Sequence, residues 1–304
     1  MKEIERLINL QVPVGQVDCV LDTDAYNEID DQYAIALMLK SEKLNPQALY
    51  AAPFFNSNSE SPEDGMERSY QEILKLLTLM GQDGMKQNVF KGSRRYLKDE
   101  QTPEESPAAT HLCELAMKYS VEKPLYVVSI GAITNIASAL LQKPEIADRI
   151  VVVWLGGNDI HWSGNKEFNM QQDIPAVRVV FGSGCPLVQL PCRPVVSGFY
   201  TTQPELEHWI KGKNPLCDYL FQRTVEAAEK YAKGRVWSRV IWDVCAVAWL
   251  LNDNDRFMLS VTDHTPIPTS PCRYVLDEYR HSYRRVTFIN RDALFGELFR
   301  VLAK

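Results

Sequence analysis

The sequence predicts an α/β fold, a central and mostly parallel sheet flanked by helices. Short apolar runs rich in β-branched residues recur along the chain: "VDCVLDTD" (17–24), "ALYAAPFF" (48–55), "LYVVSIG" (125–131), "IVVVWLGG" (150–157) and "PLVQLPC" (186–192). Such near-continuous runs mark strands covered on both faces. Segments with helical spacing of apolar residues lie between several of them, which is the alternation of parallel strands with crossover helices. "LDTD", "SIGAITN" and "WLGGND" each follow an apolar run with polar or glycine-rich sequence. In a parallel sheet the ligand crevice opens at that carboxyl end of the strands.

Taken in order, the first run leads into a helix over "QYAIALMLK" (32–40), and the second precedes one over "SYQEILKLLTLM" (69–80). Prolines and acids make 99–110, "DEQTPEESPAAT", a surface loop, after which "HLCELAMKY" (111–119) is helical. "NIASALLQ" (135–142) and "DVCAVAWLLN" (243–252) supply further helices. The polar region 253–290 contains a turn at "DHTPIPTSPC" and, in "YVLDEYRHSYRRVTFIN" (274–290), the short strands of a β-hairpin serving as scaffold. With no internal repeat and no low-complexity linker, residues 1–304 form one domain.

A chain of 304 residues, 45% hydrophobic and 24% charged, has ample material for a buried core. Its net charge of -6 argues against a nucleic-acid or anionic-membrane partner, but not against an uncharged nucleoside or sugar. No stretch has the apolar length of a membrane span, and "MKEIERLINLQ" lacks the core of a secretory signal. Seven cysteines without a CxxC pair read as buried free thiols, because the spacing of Cys185 and Cys192 is wrong for a zinc knuckle. A cytoplasmic location is expected from them.

The stretch "VLDTDAYNEIDDQYAIALML" (20–39) holds Asp22, Asp24, Asp30 and Asp31 between a strand and a helix. Carboxylates gathered at one strand end repel each other unless a cation is present, and a hard ion such as Ca²⁺ takes oxygen ligands of this kind. Capping would account for Asp30 or Asp31 at the helix start, but not for the acids on the strand side. Haloacid-dehalogenase-type phosphatases also place Asp-x-Asp after a strand. Their pattern continues with Thr or Val two residues later, where Ala25 and Tyr26 stand.

Asp22-Thr23-Asp24 followed by Asp30-Asp31, "GAITNIASAL" from Gly131, Gly156-Gly157-Asn158, Glu167-Phe168-Asn169 with Asp173, and Asp243 in "WDVCAVAWLL" occur in that order. Together they resemble the motifs of the nucleoside hydrolase family, the inosine–uridine-preferring type, over most of the chain. The resemblance implies hydrolysis of a ribonucleoside N-glycosidic bond. It implies a Ca²⁺ held by Asp24, Asp31, the backbone carbonyl of Thr134 and Asp243, with Asp24 also taking a proton from a water at the metal. Asp30, Asn56, Glu167, Asn169 and Asp243 are implied to grip the ribose hydroxyls. A homodimer or homotetramer is implied as well.

The chain departs from the family pattern on the side of the leaving base. The Pro-Gly of the first motif is absent, and its loop is two residues longer, carrying Tyr26, Asn27 and Glu28 toward the site. The family's His before the late Asp, which helps protonate the base, is Trp242. Tyr26, Glu28, His161, Trp242 and Arg239 are the base-side candidates, Trp242 by stacking and His161 by its near-neutral titration. Two alternatives stay open: a ribosyl-ligand binding protein with weakened turnover, and a hydrolase of a non-nucleoside glycoside.

Overall fold

The computed structural model describes residues 1–304. Its main sheet contains β1 (Val17–Thr23), β2 (Leu44–Ala51), β3 (Val89–Lys91), β4 (Leu125–Ser129), β5 (Ile150–Leu155) and β6 (Leu187–Leu190). Two short strands follow, β7 (Tyr200–Thr201) and β8 (Arg239–Val240), then β9 (Met258–His264), β10 (Ile267–Thr269), β11 (Arg273–Val275) and β12 (Ser282–Ile289). The helices are α1 (Glu3–Asn9), α2 (Asp31–Lys40), α3 (Pro62–Leu79), α4 (Pro107–Ala116), α5 (Thr134–Gln142) and α6 (Phe168–Gln172). They continue as α7 (Ile174–Gly182), α8 (Gln203–Trp209), α9 (Pro215–Ala232), α10 (Val244–Trp249) and α11 (Arg291–Leu302).

The eight-stranded sheet has the order β3-β2-β1-β4-β5-β6-β12-β9. All neighbours are parallel except the edge strand β9, which runs antiparallel to β12. The continuous apolar runs have a direct cause, because successive side chains of a strand point to opposite faces. Cys19 and Leu21 of β1, Tyr126 and Val128 of β4, and Val151, Val153 and Leu155 of β5 pack into one core with α2, α3, α9, α10 and α11. Val20, Leu125, Val127, Val152 and Trp154 pack into the other, with α4, α5 and α7. Both faces are dry, so the positions on each are mostly apolar, and the polar side chains buried there, Asp22, Ser129 and Gln189, are hydrogen-bonded.

Several boundaries differ from expectation. β2 spans Leu44–Ala51 rather than 48–55, because its partly exposed first half tolerates polar residues that an apolar run does not reveal. Residues 107–110 belong to α4 rather than to the loop. Ser106 accepts the Ala109 N–H and Pro107 occupies the first turn, where its missing N–H costs nothing. The hairpin expected within 274–290 does not form either. β11 pairs back onto β10, while β12 enters the main sheet between β6 and β9. Of this region β9 and β12 therefore belong to the central sheet, while β10 and β11 form a separate two-stranded sheet. No helix is long and apolar enough to cross a membrane. All seven cysteines are free and buried.

Candidate active site

The carboxyl ends of β1, β4, β5 and β6 open into one cavity of about 320 Å³. Asp24 is the residue after β1, 1% exposed, and its Oδ2 has no hydrogen-bond partner. Gly131 backs it: a Cβ there would stand 3.1 Å from the Asp24 Cγ. Asp30 and Asp243 occupy the N-cap positions of α2 and α10, yet neither side chain makes a capping bond. Instead Asp30, Asp31 and Asp243 gather, with carboxylate oxygens within 4.8 Å of one another. Burial, followed by repulsion from neighbouring carboxylates, holds Asp24, Asp31 and Asp243 well above the usual carboxylate range.

These features fit a hard divalent ion. The donors are all oxygen, one of them is orphaned in the interior, and the repulsion among them is what a dication relieves. The one soft donor on the wall, Cys192, is kept protonated by burial and then by Glu167.

The rest of the cage is built by backbone stitching. Asp30 accepts the Trp242 N–H at 3.0 Å and the Arg239 guanidinium at 3.3 Å, and Arg239 also pairs with Glu28. Pairing of β7 with β8 places Arg239 there. Asn56 donates to the side chain of Asn27, and Asn58 donates to the Asn27 carbonyl at 2.8 Å, which ties the lengthened loop to the end of β2. Glu167 caps α6, accepting from the N–H groups of Asn169 (3.0 Å), Met170 (3.0 Å) and Gly157 (2.7 Å). Asn169 bridges the ends of β4 and β5 by donating to the Ile130 and Leu155 carbonyls at 3.1 and 3.0 Å. Both residues line the cavity while serving the loop. Thr134 opens α5 and donates its hydroxyl to Asp173 at 2.7 Å. Gly157 has φ +67°, and a Cβ there would lie 2.4 Å from the Tyr274 hydroxyl, so only glycine fits that turn.

Among the base-side candidates, Glu28 and Trp242 line the cavity. Arg239 reaches it only through the two carboxylates it pairs with. Tyr26 is 37% exposed and packs under Arg68, with the guanidinium 5.6 Å from its ring centre, outside the lining. His161 is exposed on its loop and is also outside it. The cavity also contains Asn27 of the lengthened loop and Phe168 of the Glu-Phe-Asn motif, together with Lys166 and Arg193, which sequence reasoning did not single out for the site. Lys166 had one signal, its place directly before Glu167. Arg193 had none.

Asp22 is not part of the cluster. It braces β1 against its neighbours, accepting from the Ser129 hydroxyl at 3.0 Å and the Asn135 amide at 2.7 Å. Burial pushes its carboxyl up to about 7 against those hydrogen bonds. A raised folded-state pKa means stability is fully present below the unfolded value near 4 and is lost as pH rises through about 7. Asp22→Asn is therefore expected to raise the melting temperature at pH 8 by a few degrees (~1–2 kcal/mol) and to flatten its fall between pH 5 and 8. A melting curve unchanged at every pH would contradict that account.

The sheet carries an acid cage over its carboxyl ends, with Glu and Asn pinned on the opposite wall, and the family match makes the class an N-glycosyl hydrolase. Residues 19–287 match the family model described as inosine-uridine preferring nucleoside hydrolase, and the chain belongs to that family. It is 27% identical over 253 residues to the non-specific ribonucleoside hydrolase RihC of Salmonella paratyphi B, spanning 76% of this chain and 78% of the relative. It is 25% identical over 248 residues to the pyrimidine-specific ribonucleoside hydrolase RihA of Salmonella paratyphi A, spanning 73% and 76%. Among solved structures, the purine-preferring ribonucleoside hydrolase from Gardnerella vaginalis aligns with a TM-score of 0.75 at 20% identity, covering 94% of this chain and 98% of that one. The plant nucleoside hydrolase PpNRh1 aligns with a TM-score of 0.75 at 18% identity, covering 94% and 99%. At such identities the solved structures establish the shared fold.

Proposed function

We propose that this chain hydrolyses the N-glycosidic bond of a ribonucleoside, releasing ribose and free base, and that it requires Ca²⁺. The observation that carries this is the orphaned, buried oxygen of Asp24 beside the gathered Asp30, Asp31 and Asp243. Asp24, Asp31, Asp243 and the Thr134 backbone carbonyl would hold the ion. When bound, it supplies Lewis-acid chemistry that eases the deprotonation of water at neutral pH. Asp24 accepts the proton of the attacking water as general base. Asp30, Asp243, Asn56, Glu167 and Asn169 orient the ribose, Glu167 and Asn169 by fixing the wall from their backbone bonds. Leaving-group departure develops positive charge on the sugar, and the ring of buried carboxylates offsets it.

Trp242 offers a planar face for the base but no proton to give it. This favours either a base that departs without strong acid assistance or, as a second reading, a ribosyl-ligand binder with weakened turnover. The substrates named for the relatives are non-specific, pyrimidine and purine, so the base stays open. The free thiols support the cytoplasm, and kinship supports a homodimer or homotetramer. Reducing-sugar release from purine and pyrimidine nucleosides, with and without chelator, tests the reading. Release abolished by chelator and restored by Ca²⁺ is expected. Tight nucleoside binding without release would favour the binder.

A further inference from the structure

Two cations stand on the cavity wall, Lys166 and Arg193, and both are exposed. Neither joins an ion pair, and the nearby acids are committed elsewhere. Asp159 pairs with the buried Arg285. Glu167 is held by three backbone N–H groups. The backbone segments that carry the two cations are nonetheless joined in one structural knot. The Arg193 N–H donates to the Asn158 side chain at 3.0 Å, the Asp159 N–H donates to the Arg193 carbonyl at 2.8 Å, and the Asn158 amide donates to the Gly164 carbonyl at 2.9 Å. The Glu167 N–H then returns to the Asn165 carbonyl at 2.9 Å, closing the turn that carries Lys166.

This knot hangs from the ends of β5 and β6. Glu28, Asp30 and Trp242 sit instead over β1 and α10. Because β4 lies between β1 and β5, the two walls are about 10–14 Å apart at ordinary strand spacing. A ribose seated over the acid cluster with its base toward Trp242 would send its remaining exocyclic group, the 5′ carbon, toward the cations. An uncharged 5′-hydroxyl needs no such pair, whereas a phosphate dianion makes charge-assisted hydrogen bonds to both lysine and arginine.

We propose that Lys166 and Arg193 form an anion subsite and that the preferred substrate is a ribosyl compound carrying a 5′-phosphate. The proposal rests on the N-ribosyl hydrolase reading above. Hydrolysis then breaks the bond from C1′ to the base nitrogen. Water supplies oxygen to C1′ and a proton to the base, and ribose 5-phosphate is the sugar product.

The test compares kcat/KM of the Ca²⁺-loaded enzyme for adenosine and uridine, for their 5′-monophosphates, and for orotidine, which carries its charge on the base. A preference of at least tenfold for the monophosphates is expected. Their advantage over the nucleosides should fall at least tenfold in the Lys166→Ala/Arg193→Ala double variant, mainly through KM, with Lys166→Arg/Arg193→Lys retaining it. Equal use of nucleosides and monophosphates, or an advantage untouched by the double variant, would overturn the subsite and leave the hydrolase standing. A preference for orotidine that disappears in the double variant would overturn the 5′ placement. If nothing is cleaved, the hydrolase reading fails, and calorimetry with ribose and ribose 5-phosphate decides the subsite. Tighter binding of the phosphate by the wild type alone supports it, and equal binding ends it.

Discussion

Asp24→Ala is expected to lower kcat by about 10³-fold or more and to remove bound Ca²⁺ at the same time. The residue is the only one in the cage with a buried oxygen left without a partner, while its burial and its acidic neighbours make an unneutralised charge there unfavourable. On the proposed mechanism, removing the side chain takes away both a donor to the ion and the acceptor for the water's proton. It also removes one source of repulsion, so the metal-free variant should melt no lower than the metal-free wild type at pH 8. Turnover within tenfold of wild type, or full Ca²⁺ content by elemental analysis, would refute the assignment. The combined readout separates the role from simple misfolding, which would lower the melting temperature.

Arg239→Ala should have the second-largest effect. Its guanidinium is largely buried and bridges Glu28 to Asp30, whose other oxygen accepts the Trp242 N–H. Without it, Asp30, at 3% side-chain exposure, lies beside Asp31 and Asp243 with no side-chain cation paired to it. Breaking a buried pair in this way costs about 3 kcal/mol. The expected result is a lower denaturation midpoint and a fall of roughly 10- to 100-fold in kcat/KM, as the lengthened loop and the carboxylate proposed to orient the ribose lose their positions. Added Ca²⁺ should recover part of the stability, and Arg239→Lys part of the activity. The role proposed for the bridge fails if the variant matches wild type in both measurements.

Much of the site was legible in the chain itself because its residues lie within a few positions of apolar runs. Strand-to-loop junctions are visible as changes in hydrophobicity, and in a parallel sheet those junctions converge. Asp24 and Asp31 stood out at such a junction, whereas Glu167, Asn169 and Asp243 were reached through the resemblance of their motifs to the nucleoside hydrolase family. Residues whose place depends on pairing between distant segments were harder to reach. Arg239 arrives through the β7–β8 pair, and Tyr274 contacts the Gly157 turn only because β11 folds back on β10. Neither pairing leaves a local signal in such short strands. Asp22 shows the opposite error, since its proximity to the other acids suggested a shared role although it is directed at Ser129 and Asn135.

The sequence alone determined the layered α/β architecture, because only two dry faces explain central strands such as β4 and β5 that are apolar along almost their whole length. It also determined which strand ends carry carboxylates. The tertiary structure decided which of those carboxylates share a cavity, which are consumed as caps and braces, and which cations remain unpaired on its wall. Those outcomes depend on side-chain direction and on hydrogen bonds between segments up to some two hundred residues apart. Such contacts follow from chain packing, and no local spacing encodes them.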